Sequence, residues 1–398
     1  MKNDNFRITS QLPLCSNPLS MDTYSGCPHG CAYCFARAFV KVSNEANYIG
    51  NYEIAEPRKF SSVVNKSKTP GGARLIDKAM KARQPIHLGG MADPFPYKVE
   101  EKKRHSLEFI KEIGDYPCIW STKNPIPEYA EYMKDGNHIM QFSFIGFGEK
   151  ARAIEPNLPP IEKRLYNLKA YKGKVKKIII RLQPFIPWLF TEEEDFERYF
   201  EAIKDIADGL VVEFLKQPMS DDFDSLSRIL GVDIVEEYKK HDNIEGRDRM
   251  LNYATKAKYA KKIKEYAHKY GIEFYCGENE IREFGDYPNC CGISPADKEF
   301  QSFFKWNISE LVFELREKGK LYRDDVINRL PDFFKEISVS ELNWNAGNKR
   351  GYWESKRKTL QDLYEEYYKT KSTFNPAIML KNVAIKKDSK GVFFEYIE

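Results

Sequence analysis

The 398-residue chain reads as an α/β protein: parallel β/α units forming an open or partial (β/α) barrel, followed by a helical plus β-hairpin appendage. Three observations carry this. From about residue 19 to 276, short runs rich in β-branched and aromatic residues alternate with longer helical patterns, the order expected of parallel β/α units. Several of the short runs, such as Ile178-Ile-Ile180, are unbroken apolar, as in strands buried on both faces. After about residue 300 the alternation gives way to helical patterns and one strand–turn–strand.

Candidate strands occupy 19–23, 85–88, 118–122, 139–145, 177–182, 210–214 and 273–275. Between them, Ile161, Leu165 and Leu168 fall at i, i+4 and i+7 after Pro159-Pro160, with Gly173 as a stop, which predicts an amphipathic helix. A second helix is expected over 247–270, ended by Gly271. Beyond residue 300, helices are expected over 309–318, 323–336 and 356–368. Strands at 377–387 and 392–397 flank the turn Asp388-Ser-Lys-Gly391. The division is therefore 1–299 for the barrel and 300–398 for an α-plus-hairpin unit, an order compatible with a winged-helix-like module. Neither internal repeats nor low-complexity tracts interrupt the chain.

Apolar content of 42% and aromatic content of 14% are too rich for a disordered class. The polar start, Met1-Lys-Asn-Asp-Asn-Phe-Arg7, lacks the apolar core of a signal peptide, and the apolar runs fall short of the ~18–20 residues that span a bilayer. No membrane association is expected. Eight cysteines in a chain this long do not suggest a disulfide scaffold. Clustered thiols with metal-ligand spacing suggest a reducing, cytoplasmic setting. The net charge of +4 is too mild to identify a partner.

The densest chemistry lies in Gly26-Cys-Pro-His-Gly-Cys-Ala-Tyr-Cys-Phe-Ala-Arg37. Spacings of three and then two residues let one loop aim Cys27, Cys31 and Cys34 at a single point. A [4Fe–4S] cluster normally takes four cysteines, so three would leave one iron open for a small molecule, much as catalytic zinc keeps an open position. Structural zinc and three unrelated buried cysteines are the alternatives; His29, inside the loop, has a local hydrogen-bonding role. The loop directly follows the first predicted strand, and parallel β/α folds build their sites where strands end.

Cys-x-x-x-Cys-x-aromatic-Cys, with Tyr33 at the aromatic position, resembles the signature of the radical S-adenosylmethionine superfamily. The wider Gly-Cys-x-His-Gly-Cys-x-Tyr-Cys-Phe-Ala-Arg form resembles its spore photoproduct lyase-like subgroup. The resemblance implies a partial (β/α) barrel of that superfamily's type, a [4Fe–4S] cluster on Cys27, Cys31 and Cys34, and S-adenosyl-L-methionine on the open iron. It also implies reductive cleavage to a 5′-deoxyadenosyl radical that abstracts a substrate hydrogen, with an electron donor such as flavodoxin or ferredoxin.

Other strand ends extend the likeness. His87-Leu-Gly-Gly-Met-Ala-Asp93 resembles the superfamily's Gly-Gly-Glu segment, with Met-Ala inserted before an Asp. Gly89 and Gly90 let backbone approach a ligand, and Asp93 would receive its ammonium group; the plain alternative is a glycine turn. The following Asp93-Pro-Phe-Pro-Tyr-Lys-Val-Glu100 is similar to a subgroup segment as well. By the same resemblance Lys123, in Ser121-Thr-Lys123, would hold the methionine carboxylate. Ser143, in Gln141-Phe-Ser-Phe144, would meet the ribose. Arg181, in Arg181-Leu-Gln-Pro184, would take an anionic group on cofactor or substrate; otherwise it would pair with Glu155 or Glu213.

Tyr275-Cys-Gly-Glu278 and Asn289-Cys-Cys-Gly292 bring a second set of thiols. Cys276, Cys290 and Cys291 read in three ways: ligands of a second iron–sulfur cluster in the 276–291 region, buried small hydrophobes, or a catalytic thiol that returns a hydrogen atom to a substrate radical. Cys15 or Cys118 is a candidate fourth ligand, although Cys118, at the start of a strand, reads as core.

Residues 345–390 hold eleven Lys/Arg against five Asp/Glu. Lys349-Arg-Gly-Tyr-Trp353 and Lys356-Arg-Lys358 interleave cations with aromatics, which suits phosphate backbones and base stacking; a solvated basic helix is the plainer reading. The leading expectation is a radical S-adenosylmethionine enzyme with a slight preference for a nucleic-acid or nucleotide substrate. The alternatives are a peptide-, protein- or small-molecule-modifying radical enzyme with an auxiliary cluster, and a nucleic-acid-binding protein whose cluster is structural or redox-sensing.

Overall fold

In a computed structural model of the protein, eight strands form one sheet in strict chain order. They are β1 (Arg7–Ile8), β2 (Leu19–Met21), β3 (Ile86–Leu88), β4 (Cys118–Thr122), β5 (His138–Ser143), β6 (Lys177–Phe185), β7 (Gly209–Phe214) and β8 (Glu273–Cys276). The structure describes residues 6–8, 15–37, 54–302, 304, 307–341, 359–369 and 380–397. β2 to β8 are all parallel, and β1 pairs antiparallel with β2. Each of the seven expected strands is present in its expected region. Right-handed crossovers between neighbours in chain order carry every connecting helix to the same face of the sheet. The other face is concave, and β1 and β8, at the two ends of the order, leave the sheet open.

The register turns this into alternating rows. One row reads Thr122, Phe142, Ile180, Leu210 and Phe274, the next Leu182, Val212 and Cys276; all are buried, and all but Thr122 belong to the large apolar core. Between them run rows of the opposite face: Ser121, Gln141, Ile179, Gly209 and Glu273, then Ser143, Arg181, Val211 and Tyr275. Because side chains alternate with period two along a strand, the helix side is apolar while the concave side mixes an apolar floor with polar groups.

That floor is covered from outside the sheet. Ile119, Ile139, Ile179, Val211 and Tyr275 pack with Cys291, Ile293 and Phe300 as a separate small core. Asn289 shapes the covering loop: its Oδ1 accepts from the backbone N–H of Cys291 and Ile293, both at 3.0 Å. Gly292 lies at φ +80°, and a Cβ there would sit 2.3 Å from Ile179. Lys177 ties the loop to the sheet through Glu273 at 2.7 Å and Asp297 at 3.0 Å.

Two helices differ from expectation. The 247–270 helix begins only at Tyr253, because Asp248–Arg249 pairs with Gln217–Pro218 and Ile244–Glu245 in a small sheet. Asn252 then caps the helix by accepting from the Thr255 N–H at 3.0 Å. The expected 323–336 helix is split into Arg323–Ile327 and a 3₁₀ turn at Asp332–Lys335. Pro331 lies between them, and a residue preceding proline is driven out of the helical region.

The C-terminal elements are the helices Ile308–Lys318 and Leu360–Tyr367 and a three-stranded antiparallel sheet ordered β9-β11-β10. Here β9 is Lys320–Tyr322, β10 Val383–Asp388 and β11 Gly391–Tyr396. β9 adds a strand to the expected hairpin. The cation–aromatic stretch 349–358 and residues 377–379 of the expected first hairpin strand lie outside the described residues. Among the described residues no helix is long and apolar enough to cross a membrane.

These elements pack against the body built on the main sheet: the Asn307 Nδ2 donates to Ser16 Oγ at 2.8 Å, and the Leu75 N–H to Glu341 at 2.6 Å. Asn382 Nδ2 donates to Glu283 Oε1 at 3.1 Å, while the other Glu283 oxygen is buried without a hydrogen-bond partner. Burial lifts the Glu283 carboxyl from its ordinary 4.5 to about 7. The folded chain thus keeps this proton to higher pH than the unfolded chain. The associated stability is complete below pH 4.5 and is lost as pH rises towards 7. Glu283→Gln should be more stable than wild type by ~2–3 kcal/mol at pH 8, with the gap closing towards pH 4.5. Denaturant titrations of both proteins across that range check it, and a pH-independent gap would exclude Glu283 as the titrating group.

Candidate functional site

The loops at the C-terminal ends of β2 to β5 meet around the first cysteine cluster. Cys31 is buried, and Cys27 and Cys34 are half-buried. Their loop is pinned from several sides. The Ala32 N–H donates to Ile154 O at 2.9 Å, and Asn157 Nδ2 to Pro28 O at 3.0 Å. Gly30 adopts φ +66° against Asn157. His29 accepts from the Tyr97 N–H at Nε2 (3.1 Å), so its proton resides on Nδ1, 3.6 Å from Asp93 Oδ2. Burial lowers the His29 pKa, so the ring is a neutral strut for the loop.

Asp93 is the knot between loops. Its Oδ1 accepts from the Phe95 N–H at 2.8 Å and the Thr122 hydroxyl at 2.7 Å, and its Oδ2 from the Lys123 N–H at 2.7 Å. Both oxygens, expected to meet a ligand ammonium, are engaged by the protein's own donors. Asp22 holds the preceding turn, accepting from the N–H groups of Met91 (3.0 Å) and Ala92 (3.3 Å). Gly89 lies at φ +92°, where a Cβ would stand 2.2 Å from the Ser121 carbonyl oxygen; Gly90 is exposed and meets only Ser20 Oγ, at 3.6 Å.

Lys123 stands 3.2 Å from Glu155 Oε1 and over the Tyr33 ring, 5.1 Å from its centroid. Glu155 also binds Arg164 at 2.9 Å and accepts the Tyr33 hydroxyl. Burial alone would raise the Glu155 pKa, but Lys123 and Arg164 bring it down to about 2. Burial, reinforced by Asp93, holds the Cys27 thiol well above the usual range, and burial with Glu155 pushes Cys31 up to about 12. Thiols so placed keep their protons until a metal displaces them, since the thiolate is the metal ligand.

A second network lies deeper on the concave face. Arg181 Nη1 donates to Ser121 Oγ at 2.8 Å and Gln141 Oε1 at 2.7 Å, and Nε to Gln183 Oε1 at 2.7 Å. His87 Nε2 lies 2.7 Å from Ser121 Oγ, and burial with Arg181 nearby lowers its pKa to about 3. Gln183 passes its amide N–H to Glu213. Arg181 therefore meets Glu213 only through Gln183, and Glu155 belongs to Lys123 and Arg164 instead. Ser143 ends β5 in register with Arg181. Gln183 was legible from the period of two that puts it on the Arg181 face. Nothing in the sequence marks Glu155 as the partner of Tyr33, 122 residues away.

The distal cysteines divide between faces. Cys276 is in register with Val212 on the helix side, whereas Cys291 packs with Tyr275 on the concave side, with Cys290 against it. Cys276 faces away from the concave rim because it follows Tyr275 by one residue. Cys290 and Cys291 are brought together, and their neighbour is Cys15: Cys290 presses on the Cys15 thiol, whose pKa burial lifts to about 12. Arg282 bridges the two sets. It donates to Cys276 O and Gly277 O, the latter at 3.1 Å, and faces the Cys290 sulfur. A hydrogen bond from Cys291, with Arg282 and Arg181 close by, holds the Cys290 thiol well below the usual range. Cys118 is fully buried between Ile86 and His138 in the sheet, as core.

Among the described residues no group of three or more His, Cys, Asp or Glu side chains is gathered closely enough to hold a metal ion. The donor chemistry of the first loop nevertheless fits an iron–sulfur cluster. It supplies three thiols on one pinned loop, neighbouring pairs within electrostatic reach of each other. The distal set fits less well, since the Cys276 side chain leaves on the other face.

No protein-family model and no curated protein matches the chain. Among solved structures, native anSMEcpe with bound AdoMet matches at 14% identity and a TM-score of 0.36, over 62% of this chain and 59% of that one. Native anSMEcpe with bound AdoMet and Cp18Cys peptide matches at 12% identity and a TM-score of 0.35, over 62% and 58%. The chain thus spans less than two thirds of the length of these structures.

Gly89→Ala tests how tightly the loops are set. Both the positive φ and the 2.2 Å approach to a backbone oxygen oppose a side chain there. The variant should lose ~1–3 kcal/mol of stability in denaturant titration, while Gly90→Ala should be near neutral; equal stability of both variants and wild type would show that the turn has room to relax.

Proposed function

We propose that the protein is a radical S-adenosylmethionine enzyme of the spore photoproduct lyase-like kind. The observation that carries this reading is the pinned loop bearing Cys27, Cys31 and Cys34 immediately beyond β2 of a parallel sheet. In this reading the three cysteines hold a [4Fe–4S] cluster and leave one iron for S-adenosyl-L-methionine. When bound, the cluster, reduced by a flavodoxin- or ferredoxin-type donor, supplies the electron that cleaves the cofactor to methionine and a 5′-deoxyadenosyl radical able to abstract a substrate hydrogen.

The chain's own residues then have distinct tasks. Lys123 exchanges part of its contact with Glu155 for the methionine carboxylate, with Tyr33 beneath its ammonium. Gly89 and Gly90 give the ligand a backbone edge without side chains. Ser143 offers a hydroxyl to the ribose. Asp93 positions rather than binds: it fixes the Lys123 backbone and the cysteine loop together. The covered floor of Ile119, Ile139, Ile179 and Val211 excludes water from below, which protects a radical from quenching.

For the substrate we favour a nucleic acid or nucleotide, on the cationic excess of residues 345–390. A peptide-modifying reading with an auxiliary cluster would now need Cys15, rather than Cys276, beside Cys290 and Cys291.

Anaerobic reconstitution with iron and sulfide, then dithionite and S-adenosyl-L-methionine, should yield 5′-deoxyadenosine. Replacing Cys27, Cys31 and Cys34 together by Ala should abolish both the iron bound at this site and the cleavage; full cleavage by that variant would sink the enzymatic reading. Lys123→Ala should weaken cofactor binding about tenfold to a hundredfold, the loss of one charge-assisted contact. Unchanged affinity in equilibrium dialysis would remove Lys123 from the cofactor site.

A further inference from the structure

Among the described residues, the concave face carries a cation with no carboxylate in contact with it; the Cys290 sulfur of the covering loop is within its electrostatic reach. A guanidinium has five N–H donors. Arg181 uses its Nη1 group on Ser121 and Gln141, and its Nε and one Nη2 hydrogen on Gln183. All three acceptors are neutral. Its ring neighbour His87, 3.5 Å from Nη1, is kept neutral as well. The one carboxylate in the network, Glu213, is reached only through Gln183 and is already paired with Lys216 at 3.1 Å.

The guanidinium is therefore oriented by four strands, β3 to β6, while one Nη2 hydrogen remains uncommitted and no carboxylate is in contact with its charge. Holding a partly buried charge without a counter-ion costs free energy, and neutral acceptors fix its direction without cancelling its field. Contrast the cofactor end of the face. There Lys123, Arg164 and Glu155 form closed ion pairs and Asp93 is fully hydrogen-bonded. The two networks touch different residues and meet only in the chain of β4, where Ser121 belongs to one and Thr122 and Lys123 to the other.

We propose that Arg181 is the substrate's anion-binding residue: the concave face takes a substrate bearing a carboxylate or phosphate group, seated against Arg181 rather than against the Lys123 end. This deepens, and rests on, the proposed radical S-adenosylmethionine function, by placing the substrate on the concave face. Ser121, Gln141 and Gln183 act as positioning residues that keep the guanidinium facing the chamber. Cys290 is an ionisable group of the covering loop within electrostatic reach of Arg181, so the charge of its sulfur is the competitor that a test must separate.

The experiment uses the purified full-length chain without added cofactor, at constant ionic strength, with inorganic phosphate as probe followed by ³¹P line broadening. Wild type should bind phosphate, Arg181→Gln should weaken it at least ~tenfold, and Arg181→Lys, which keeps the charge, should retain most of the affinity. Cys290→Ser should bind at least as well as wild type. Displacement of phosphate by acetate identifies a carboxylate-type site, and its failure a phosphate-type one. Equal affinity in Arg181→Gln and wild type overturns the proposal, as does loss in Arg181→Lys as complete as in Arg181→Gln, because charge would then not be what binds. Cofactor binding by equilibrium dialysis, run on the same variants, should be unchanged by Arg181→Gln; loss there with phosphate binding intact would return Arg181 to the cofactor. Failure of the radical reading leaves the phosphate result standing, so the two can be told apart.

Discussion

Seven parallel strands joined in chain order must carry their crossover helices on one face, and every other feature of the molecule answers to that constraint. The helix face is closed by the connections themselves, as the buried rows through Phe142, Ile180 and Leu210 show. Among the described residues the concave face receives none of the crossover helices. Its lower half is sealed by a loop that arrives from beyond β8, and its upper half keeps polar side chains whose hydrogen bonds run across strands rather than along them. The open edges of the sheet are tied to the C-terminal helices through Ser16 and Asn307.

Within that frame, buried charge is handled in two ways. Glu155 is surrounded by Lys123, Arg164 and the Tyr33 hydroxyl, a closed set in which each charge has an opposite neighbour. Glu100 is a closed set of another kind: it accepts from the Tyr129 hydroxyl at 2.7 Å and the N–H groups of Ser106 and Leu107 at 2.9 and 3.2 Å, and from the Tyr24 hydroxyl. These are structural carboxylates, satisfied without a ligand. Arg181 departs from the pattern: its hydrogen bonds go to neutral groups, and no carboxylate closes the set. A partly buried charge that is fixed without a carboxylate partner is a condition under which a small anion gains from binding.

Much of the parallel sheet was legible because its strands are short, apolar and bounded by turn residues. Each of the seven strand regions could be read from the sequence, as could the cysteine loop that follows the first. Helix limits were less legible. The start of the Tyr253–Lys269 helix depended on pairing with Gln217, some thirty residues away, which no local pattern reports. The candidate site was legible residue by residue but not in its partnerships. Lys123 and Arg181 both invite an anion on sequence grounds, and only the long-range fold gives Glu155 to the first and leaves the second without a carboxylate in contact. Cys276 shows the limit of reading a strand end by position: a shift of one residue moves a side chain to the opposite face, and Tyr275, not Cys276, looks into the chamber.

The loop that seals the chamber floor has a bearing on how the chain acquires its structure. Ile119, Ile139, Ile179 and Val211 are covered by residues that leave the ribosome only after β8. Gln141 meets Cys291 across 150 positions, and Leu75 meets Glu341 across 266. During synthesis the helix face can close unit by unit, but one apolar surface of the growing sheet stays wet until the last third of the chain has emerged. Contacts of such sequence separation slow folding, and exposed apolar sheet surface in the interval invites aggregation. Truncation before residue 289 therefore removes more than the C-terminal helices and strands: it takes the cover off the apolar floor of the sheet and leaves that surface exposed.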